Sequence, residues 1–167
     1  MAIEGSRAER LATLYAQHAP KAGRLAFLLL GDKGAAEDLV QEAFVRVAGR
    51  LTMLRKPEAF EGYLRQTVVN LARSHIRRKV RDRAIAERVR RERTSHVGAP
   101  DVAQSDLIAR GMQALTHRQR AAIVLRFYLD LSEEETAETL GCAVGTVKSS
   151  VHRGLQALRI QMEGTEW

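Results

Sequence analysis

Apolar residues recur at helical spacing along most of the chain. No segment alternates between apolar and polar residues for long enough to predict a strand. Helix-forming residues dominate, whereas Gly and Pro are sparse. The pattern therefore predicts an all-α protein. Its most regular stretch lies near the C-terminus, at residues 131–159, where it predicts two consecutive helices separated by a short turn.

The first of these two helices begins at a capping box. Ser132 can cap the helix, Glu135 stands three residues later, and Gly141 ends the helix. The second helix presents one apolar stripe, which consists of Val144, Val147, Val151, Leu155 and Leu158. Two short helices joined by a tight turn are typical of a helix-turn-helix.

Polar and basic residues lie opposite this stripe, on the outward face of the second helix. At about 100° per residue the stripe centres near Val151, and no acidic residue lies between Val144 and Ile160. The outward face and its edges comprise Thr146, Lys148, Ser149, Ser150, His152, Arg153 and Gln156. Such side chains suit the major groove of DNA, where Arg and Gln read base edges and Ser, Thr and Lys contact phosphates. The alternative is an ordinary surface helix of a bundle, but the cap, the turn and the acid-free face together favour DNA.

The first half of the chain begins with two predicted helices. The first spans Arg7 to Leu30, with an interruption near Pro20. The second spans 35–48; its buried set is Leu39, Val40, Ala43, Phe44 and Val47, and its exposed set is Asp38, Gln41, Glu42 and Arg46. An acidic and amide-rich face repels DNA, so it either faces solvent or docks on a basic protein surface. Composition alone favours solvent.

A third helix is predicted to begin at Pro57, after a loop at 51–56. Its inner face consists of Phe60, Leu64, Thr67, Val68, Leu71 and His75, and its outer face carries Gln66, Asn70, Arg73 and Arg77. Six basic residues and no acidic residue lie between Tyr63 and Arg81. This predicts a nucleic-acid-binding stripe, because a merely solvated basic helix usually contains Glu for pairing at four-residue spacing.

The segment 82–106 differs in composition from the helices around it. It is polar, contains Gly98 and Pro100, and has no sustained apolar stripe, so we predict a flexible linker. Two further helices, at 107–115 and 118–129, precede the helix-turn-helix. The sequence thus predicts two small helical domains, residues 1–81 and 107–167, joined by the linker.

The net charge of +7 resides in the first half of the chain. Residues 1–81 contain 15 basic and 8 acidic residues, whereas 82–106 contain 5 of each and 107–167 contain 7 of each. A polyanionic partner is therefore expected for the first domain as well as for the helix-turn-helix.

Composition also excludes several classes of protein. The single cysteine, Cys142, precludes an internal disulfide, and no residue spacing suggests a metal or cofactor site. The chain lacks a carboxylate cluster and an activated nucleophile, so we expect no catalytic residues. The longest apolar run, Leu25 to Leu30, is too short to span a bilayer, and the N-terminus is unlike a signal peptide. We expect a cytoplasmic protein without membrane insertion.

Two motifs in this order resemble extracytoplasmic-function (ECF) sigma factors, the small two-domain specificity subunits of bacterial RNA polymerase. The first is AAEDLVQEAFVRV at 35–47, which resembles the polymerase-docking helix of that family. The second is ALTHRQRAAIVLRFYLDLSEEETAETLGCAVGTVKSSVHRGLQALR at 114–159, which resembles its −35-binding domain. The two motifs joined by a polar linker cover nearly the whole chain and are specific for the family.

The resemblance implies a role for each predicted surface. The first domain is expected to dock on the β′ coiled coil of core RNA polymerase and to open the −10 element. The second is expected to bind the −35 element and to meet the β flap. Docking is thereby assigned to Asp38, Gln41, Glu42 and Phe44, in place of solvent exposure. Recognition of the −10 strand is assigned to Tyr63, Gln66, Asn70, Arg73, Arg77 and Arg78, with the 51–56 loop holding a flipped base. An anti-sigma factor is a further partner that the resemblance allows.

The main alternative is a helix-turn-helix regulator that does not bind core polymerase as a specificity subunit. Such a regulator needs an oligomerisation face or a ligand pocket instead of a docking face, and a pull-down with core polymerase separates the two hypotheses.

Overall fold

The computed structural model describes residues 2–50, 57–92 and 107–163. Over these ranges the chain is helical and contains no strand, which confirms the predicted all-α class. The helices are α1 (Ala2–Leu30), α2 (Lys33–Ala48), α3 (Pro57–Glu92), α4 (Leu107–Ala114), α5 (His117–Ile123), α6 (Glu133–Leu140) and α7 (Val144–Glu163). A π-helical turn, Val124–Tyr128, extends α5.

Helices α1, α2 and α3 form the N-terminal unit around a common apolar core. Gly31 ends α1 with a φ of 71°, and the Asp32 side chain accepts a hydrogen bond of 2.9 Å from the Ala35 amide at the start of α2. The aromatic rings of Phe44 and Phe60 join α2 to α3, with centroids 6.2 Å apart. The buried stripes that the sequence predicts on α2 and α3 therefore face each other.

The predicted interruption of α1 near Pro20 is wrong. Pro20 lies inside a continuous helix and is exposed to solvent. Water can hydrate the Ala16 carbonyl that loses its intrahelical donor on this side. The packing of Leu25 and Leu29 after the proline, together with Leu14 before it, holds both halves of α1 on the core.

The third helix is longer than predicted. It continues to Glu92, so residues 82–92, which the sequence assigns to the linker, are helical. These residues are exposed as far as their side chains are described, through Val89. They consist largely of strong helix formers and carry no apolar stripe, so periodicity gives no signal for them. The rest of the predicted linker, 93–106, lies outside the described residues.

Helices α4 to α7 form the C-terminal unit. Thr116 begins α5 with a capping box, in which its side chain accepts from the Gln119 amide at 3.3 Å and the Gln119 side chain accepts from the Thr116 amide at 3.0 Å. The π-helical turn closes with a hydrogen bond of 3.1 Å from the Leu129 amide to the Val124 carbonyl. Together they present buried Ala121 and Leu125 to the unit's core.

Gly154 allows α7 to cross α5 closely. A Cβ atom added at Gly154 would lie 2.6 Å from Ile123 Cδ1 and 3.3 Å from Gln119 Cβ. We therefore expect Gly154→Ala to destabilise the protein by about 1 to 3 kcal/mol through overpacking. Gly145→Ala is the matched control, since a Cβ at Gly145 meets nothing within 4 Å. Thermal unfolding of both variants tests this, and equal melting temperatures would contradict the close crossing.

The two units pack against each other. Leu25, Leu64 and Val68 of the N-terminal unit share a cavity of about 330 Å³ with Leu129 and Leu131 of the C-terminal unit. The Arg120 side chain is buried and donates a hydrogen bond of 2.7 Å to the Leu29 carbonyl, at the end of α1. This contact joins residues that are 91 positions apart in the chain.

His117 lies beside the same interface and makes stability depend on pH. Burial and, to a smaller extent, the positive charges of Arg120, Arg73 and Arg77 together lower its pKa to about 4. The unfolded chain binds this proton near pH 6.5, whereas the folded chain binds it only near pH 4. The free energy of unfolding is therefore unaffected by His117 above pH 6.5 and decreases as the pH falls from 6.5 toward 4. We expect the melting temperature of the His117→Gln variant to decrease less between pH 7 and pH 5 than that of the original chain. An equal decrease in both proteins would exclude His117 as the source of the pH dependence.

Candidate nucleic-acid interface

Helices α6 and α7 form the predicted helix-turn-helix. The capping box at its start is confirmed: the Ser132 hydroxyl accepts from the Glu135 amide at 3.0 Å, and the Glu135 carboxylate accepts from the Ser132 amide at 2.8 Å. Gly141 has a φ of 62°, a left-handed conformation that favours glycine and that ends α6 as predicted. The Cys142 amide then donates to the Ala137 carbonyl at 3.0 Å, which fixes the turn into α7.

The outward face of α7 is rotated from the predicted one. Val147, Ser150 and Gly154 are the buried residues of the helix, whereas Leu155 of the predicted apolar stripe is 44% exposed. The buried side thus centres near Gly154 instead of Val151, a shift of about 60° by the helical count.

This rotation corrects the assignment of Ser150. Its side chain is 7% exposed and lies on the side of Val147 and Gly154, so it does not face a DNA partner. Thr146 is half-buried at the first turn. The sequence pattern missed this arrangement because Ser and Gly count as polar or neutral in a hydrophobic stripe, although small residues are what a close helix crossing requires.

The remaining predicted residues of α7 share one exposed surface. We call this surface the α7 face; it comprises Gly145, Lys148, Ser149, His152, Arg153 and Gln156, all of which are exposed. Ser149, His152 and Gln156 lie at its centre, while Lys148 and Arg153 lie on its two edges. Lys148 forms an ion pair of 3.3 Å with Glu133 of α6. Both residues are partly exposed, so the pair holds Lys148 only weakly.

A second polar surface lies between α2 and α3. We call it the α2–α3 groove; it has a volume of about 910 Å³ and is lined by Glu42, Arg46, Arg50, Tyr63, Gln66, Thr67, Asn70, Leu71, Ser74 and Arg78. It brings together four of the residues predicted to recognise the −10 strand. The Arg50 guanidinium lies 5.4 Å from the centre of the Tyr63 ring, so an aromatic face and a cation meet at one end of the groove.

The groove also contains residues that the sequence did not single out. Arg50 lies just after the end of α2, and Ser74 comes from α3. Arg46, which the sequence predicts only as an exposed residue of α2, stands four residues before Arg50, and this spacing could have indicated a basic pair at the end of the helix. Arg73 and Arg77 do not line the groove, and their charges act on His117 of the C-terminal unit. The 51–56 loop, which is predicted to hold a flipped base, lies outside the described residues.

The outer face of α2 carries the predicted docking residues Asp38, Gln41 and Glu42, all of which are exposed. Phe44 is not part of this face. Its side chain is 4% exposed and its ring packs against Tyr15, with centroids 4.7 Å apart. The assignment of Phe44 to polymerase binding is therefore corrected, because the side chain belongs to the core. Val45, which is 74% exposed, is the apolar residue of the outer face.

Neither a metal site nor a membrane-spanning helix is found among the residues that the structure describes. No three His, Cys, Asp or Glu side chains of these residues are grouped so that they could hold a metal ion. None of the helices over the same residues has the length and apolar character that a membrane crossing needs.

Comparison with known proteins identifies the family. Models of sigma-70 region 2 and sigma-70 region 4 match residues 14–82 and 105–158. The ECF RNA polymerase sigma factor SigL of Mycobacterium tuberculosis is 31% identical over 168 residues, which cover 95% of this chain and 92% of SigL. The chain belongs to the ECF sigma factors. SigE of Mycolicibacterium smegmatis, another ECF RNA polymerase sigma factor, is 38% identical over 87% of this chain, although the chain spans only 59% of that relative's length.

Solved structures of sigma factors share the fold. The sigma factor RpoE in complex with the anti-sigma factor NepR from Bartonella quintana matches with a TM-score of 0.68 at 21% identity, over 95% of this chain and 99% of RpoE. CnrH in complex with the cytosolic domain of CnrY gives a TM-score of 0.64, over 93% of this chain and 89% of CnrH. The α2–α3 groove thus lies within the region 2 match and the α7 face within the region 4 match.

Proposed function

We propose that this ECF sigma factor binds core RNA polymerase and directs it to promoters with particular −10 and −35 elements. The observation that carries the proposal is the presence of two separate basic surfaces, the α2–α3 groove and the α7 face, within consecutive matches to regions 2 and 4. The polymerase supplies the chemistry, so the chain needs neither catalytic residues nor a cofactor. It would act in the cytoplasm.

The α2–α3 groove is suited to single-stranded DNA. Binding of a single strand combines aromatic side chains, on which bases stack, with cations that follow the backbone. Tyr63 with Arg50 supplies the first feature and Arg78 the second, while Gln66 and Asn70 offer amides to base edges. We assign −10 recognition to these residues, and we assign Arg73 and Arg77 to the strand beyond the groove.

The α7 face is suited to the major groove of duplex DNA. Its central residues Ser149, His152 and Gln156 are short or flat polar side chains that can approach base edges, and Lys148 and Arg153 stand where the two phosphate backbones would pass. No residue of α7 on this face is acidic, which limits repulsion from phosphates. We assign −35 recognition to this face without Ser150.

The outer face of α2 is suited to a basic protein surface. Asp38 and Glu42 stand one turn apart, with Gln41 beside them and exposed Val45 one turn further on. Charged residues around an apolar residue are typical of a polar, separable interface. We assign docking on core polymerase, at its β′ coiled coil, to these four residues, and a second contact with the β flap to the C-terminal unit. An anti-sigma factor remains a further partner in this proposal, as in the RpoE structure, where the anti-sigma factor NepR is bound.

Transcription in a purified system tests the proposal. Core RNA polymerase is incubated with the chain and a genomic promoter library, and the 5′ ends of the transcripts are sequenced. We expect defined start sites that share two upstream elements, and none with core polymerase alone. A chain that binds DNA but neither binds core polymerase nor changes its start sites would instead be a helix-turn-helix regulator.

A further inference from the structure

We propose that the cavity between the two units binds an amphipathic carboxylate, that is, an organic acid whose apolar body fills the cavity and whose carboxylate contacts the Arg65 guanidinium. This cavity, which has a volume of about 330 Å³, shares no lining residue with the α2–α3 groove and none with the α7 face. The site therefore goes beyond the proposed function and does not depend on it.

Apolar side chains from three parts of the fold form the floor of the cavity. They are Ala22 and Leu25 of α1, Leu64 and Val68 of α3, and Leu129 and Leu131, which follow the π-helical turn. All of them except Leu129 are buried. The titratable side chains that line the cavity are half-buried or exposed and stand toward solvent: His18, Lys21, Glu61, Arg65 and Glu135. An apolar floor with a few polar groups at its opening is typical of a pocket for a small organic molecule.

The two acidic groups of the cavity are already engaged within the protein. Glu61 accepts a hydrogen bond from the Lys21 ammonium, which holds the pKa of that carboxyl below its usual value. The Glu135 carboxylate accepts from the Ser132 amide at 2.8 Å, at the positive N-terminal end of α6. Neither acid therefore needs a cationic ligand.

Arg65, by contrast, lacks an acceptor. Among the residues that the structure describes, no carboxylate lies within ion-pairing distance of its guanidinium, and none of its N–H groups donates a hydrogen bond. Its Nε atom is buried without a partner. A buried donor without an acceptor weakens the folded state, and the planar guanidinium matches the two oxygen atoms of a carboxylate. An anion at the terminal N–H groups of Arg65 provides the charge partner that the protein lacks.

The volume of the cavity sets the size of the acid. At about 30 Å³ for each water-sized group, the cavity holds about eleven non-hydrogen atoms. Water alone fits the floor poorly, because an ordered water needs several polar partners and the apolar side chains of the floor offer none. A straight-chain acid such as octanoate, with about ten non-hydrogen atoms, matches both the volume and the unpaired guanidinium.

Calorimetric titration of the full-length chain with octanoate tests the site. Three related probes separate its features: acetate keeps the carboxylate without the body, octanol keeps the body without the charge, and octylammonium reverses the charge. We expect octanoate to bind saturably and each of the other three probes to bind at least about tenfold more weakly. Octanoate should also raise the melting temperature, because it binds the folded chain and not the unfolded one.

The affinity should follow the length of the acid up to the size of the cavity. Each methylene removed from octanoate should weaken binding about fourfold, as expected for the burial of one methylene group. Acids that are longer than the cavity, such as dodecanoate, should gain nothing further, whereas adsorption on an exposed apolar surface strengthens with every added methylene. A steady gain through dodecanoate would overturn the site.

Two variants, each with a matched control, locate the bound acid. Arg65→Gln removes the cation and should weaken octanoate binding about tenfold or more, whereas Arg24→Gln, at an exposed arginine outside the cavity, should not. Gly62→Leu should abolish binding by filling the cavity; a Cβ atom at Gly62 meets nothing closer than Arg65 Nη2, at 3.9 Å, and leucine favours the helix more than glycine does. Gly23→Leu is its control, because Gly23 also has room for a Cβ atom but does not line the cavity.

The melting temperature of each variant without octanoate confirms that it is folded. Absence of saturable octanoate binding would mean that the cavity holds water only. Octanol or octylammonium binding as tightly as octanoate, or normal octanoate binding by both Arg65→Gln and Gly62→Leu, would likewise overturn the proposal. These titrations contain neither polymerase nor DNA, so their outcome is independent of the proposed function.

Discussion

Core RNA polymerase should no longer retain the chain when Asp38→Lys and Glu42→Lys are combined. Both side chains are exposed on the outer face of α2, where the proposed partner surface is basic. The double variant replaces two attractions by two repulsions, and like charges opposed across an interface cost several kcal/mol. A loss of about 3 kcal/mol already weakens binding by more than a hundredfold.

The same change should leave the fold intact. Exposed substitutions usually alter stability by less than about 0.5 kcal/mol. Glu42 does accept a hydrogen bond of 2.6 Å from Arg46, but the pair is about half exposed and contributes little. Competition against the unmodified chain for core polymerase measures the affinity, and the melting temperature of the variant confirms folding.

Glu9→Lys combined with Glu87→Lys is the matched control. It makes the same change in net charge within the same unit, at exposed residues of α1 and α3 that lie outside α2. We expect normal competition from this control. Equal loss in both double variants would mean that net charge, and not the outer face of α2, governs the binding of polymerase.

Local signals in the sequence were sufficient to predict α6 and the buried side of α2. Ser132, Glu135 and Gly141 define α6 through interactions within the segment itself, and all three behave in the structure as their spacing predicts. The apolar residues of α2 likewise predict its buried side, and with it the exposure of Asp38 and Glu42. Such features depend on neighbours along the chain, so a sequence pattern records them directly.

The sequence was less informative where tertiary packing buries small residues or where a side chain binds backbone atoms. Ser150 and Gly154 are buried because α7 approaches α5 closely, whereas exposed Leu155 belongs to the periodic stripe. The Arg120 guanidinium donates to backbone carbonyl groups, which every residue carries, so no pattern of residue types marks its partner Leu29. The rotation of α7 and the contact between the units therefore became visible only in the structure.

The structure places the outward face of α7 about 60° from the predicted one, and this orientation gives separate roles to the centre and the edges of the α7 face. Lys148→Ala combined with Arg153→Ala removes both edge cations and should weaken binding to every duplex alike. With two fewer phosphates neutralised, the slope of log K against log salt should become shallower by about 1.8, which corresponds to about sixtyfold weaker binding at 0.1 M salt. His152→Ala, at the centre, should instead reduce discrimination between the −35 element and scrambled duplex by about 1 to 3 kcal/mol, with an unchanged slope.

Salt titrations of the full-length variants on −35 and scrambled duplexes distinguish these outcomes. Arg118→Ala is the control, because Arg118 is exposed on α5, outside the helix-turn-helix. The control should keep both the slope and the discrimination. If the edge variant lost affinity only for the −35 duplex, Arg153 or Lys148 would be reading bases. The α7 face would then centre nearer to Arg153, as the apolar stripe had predicted, and the burial of Ser150 would not govern how the helix meets DNA.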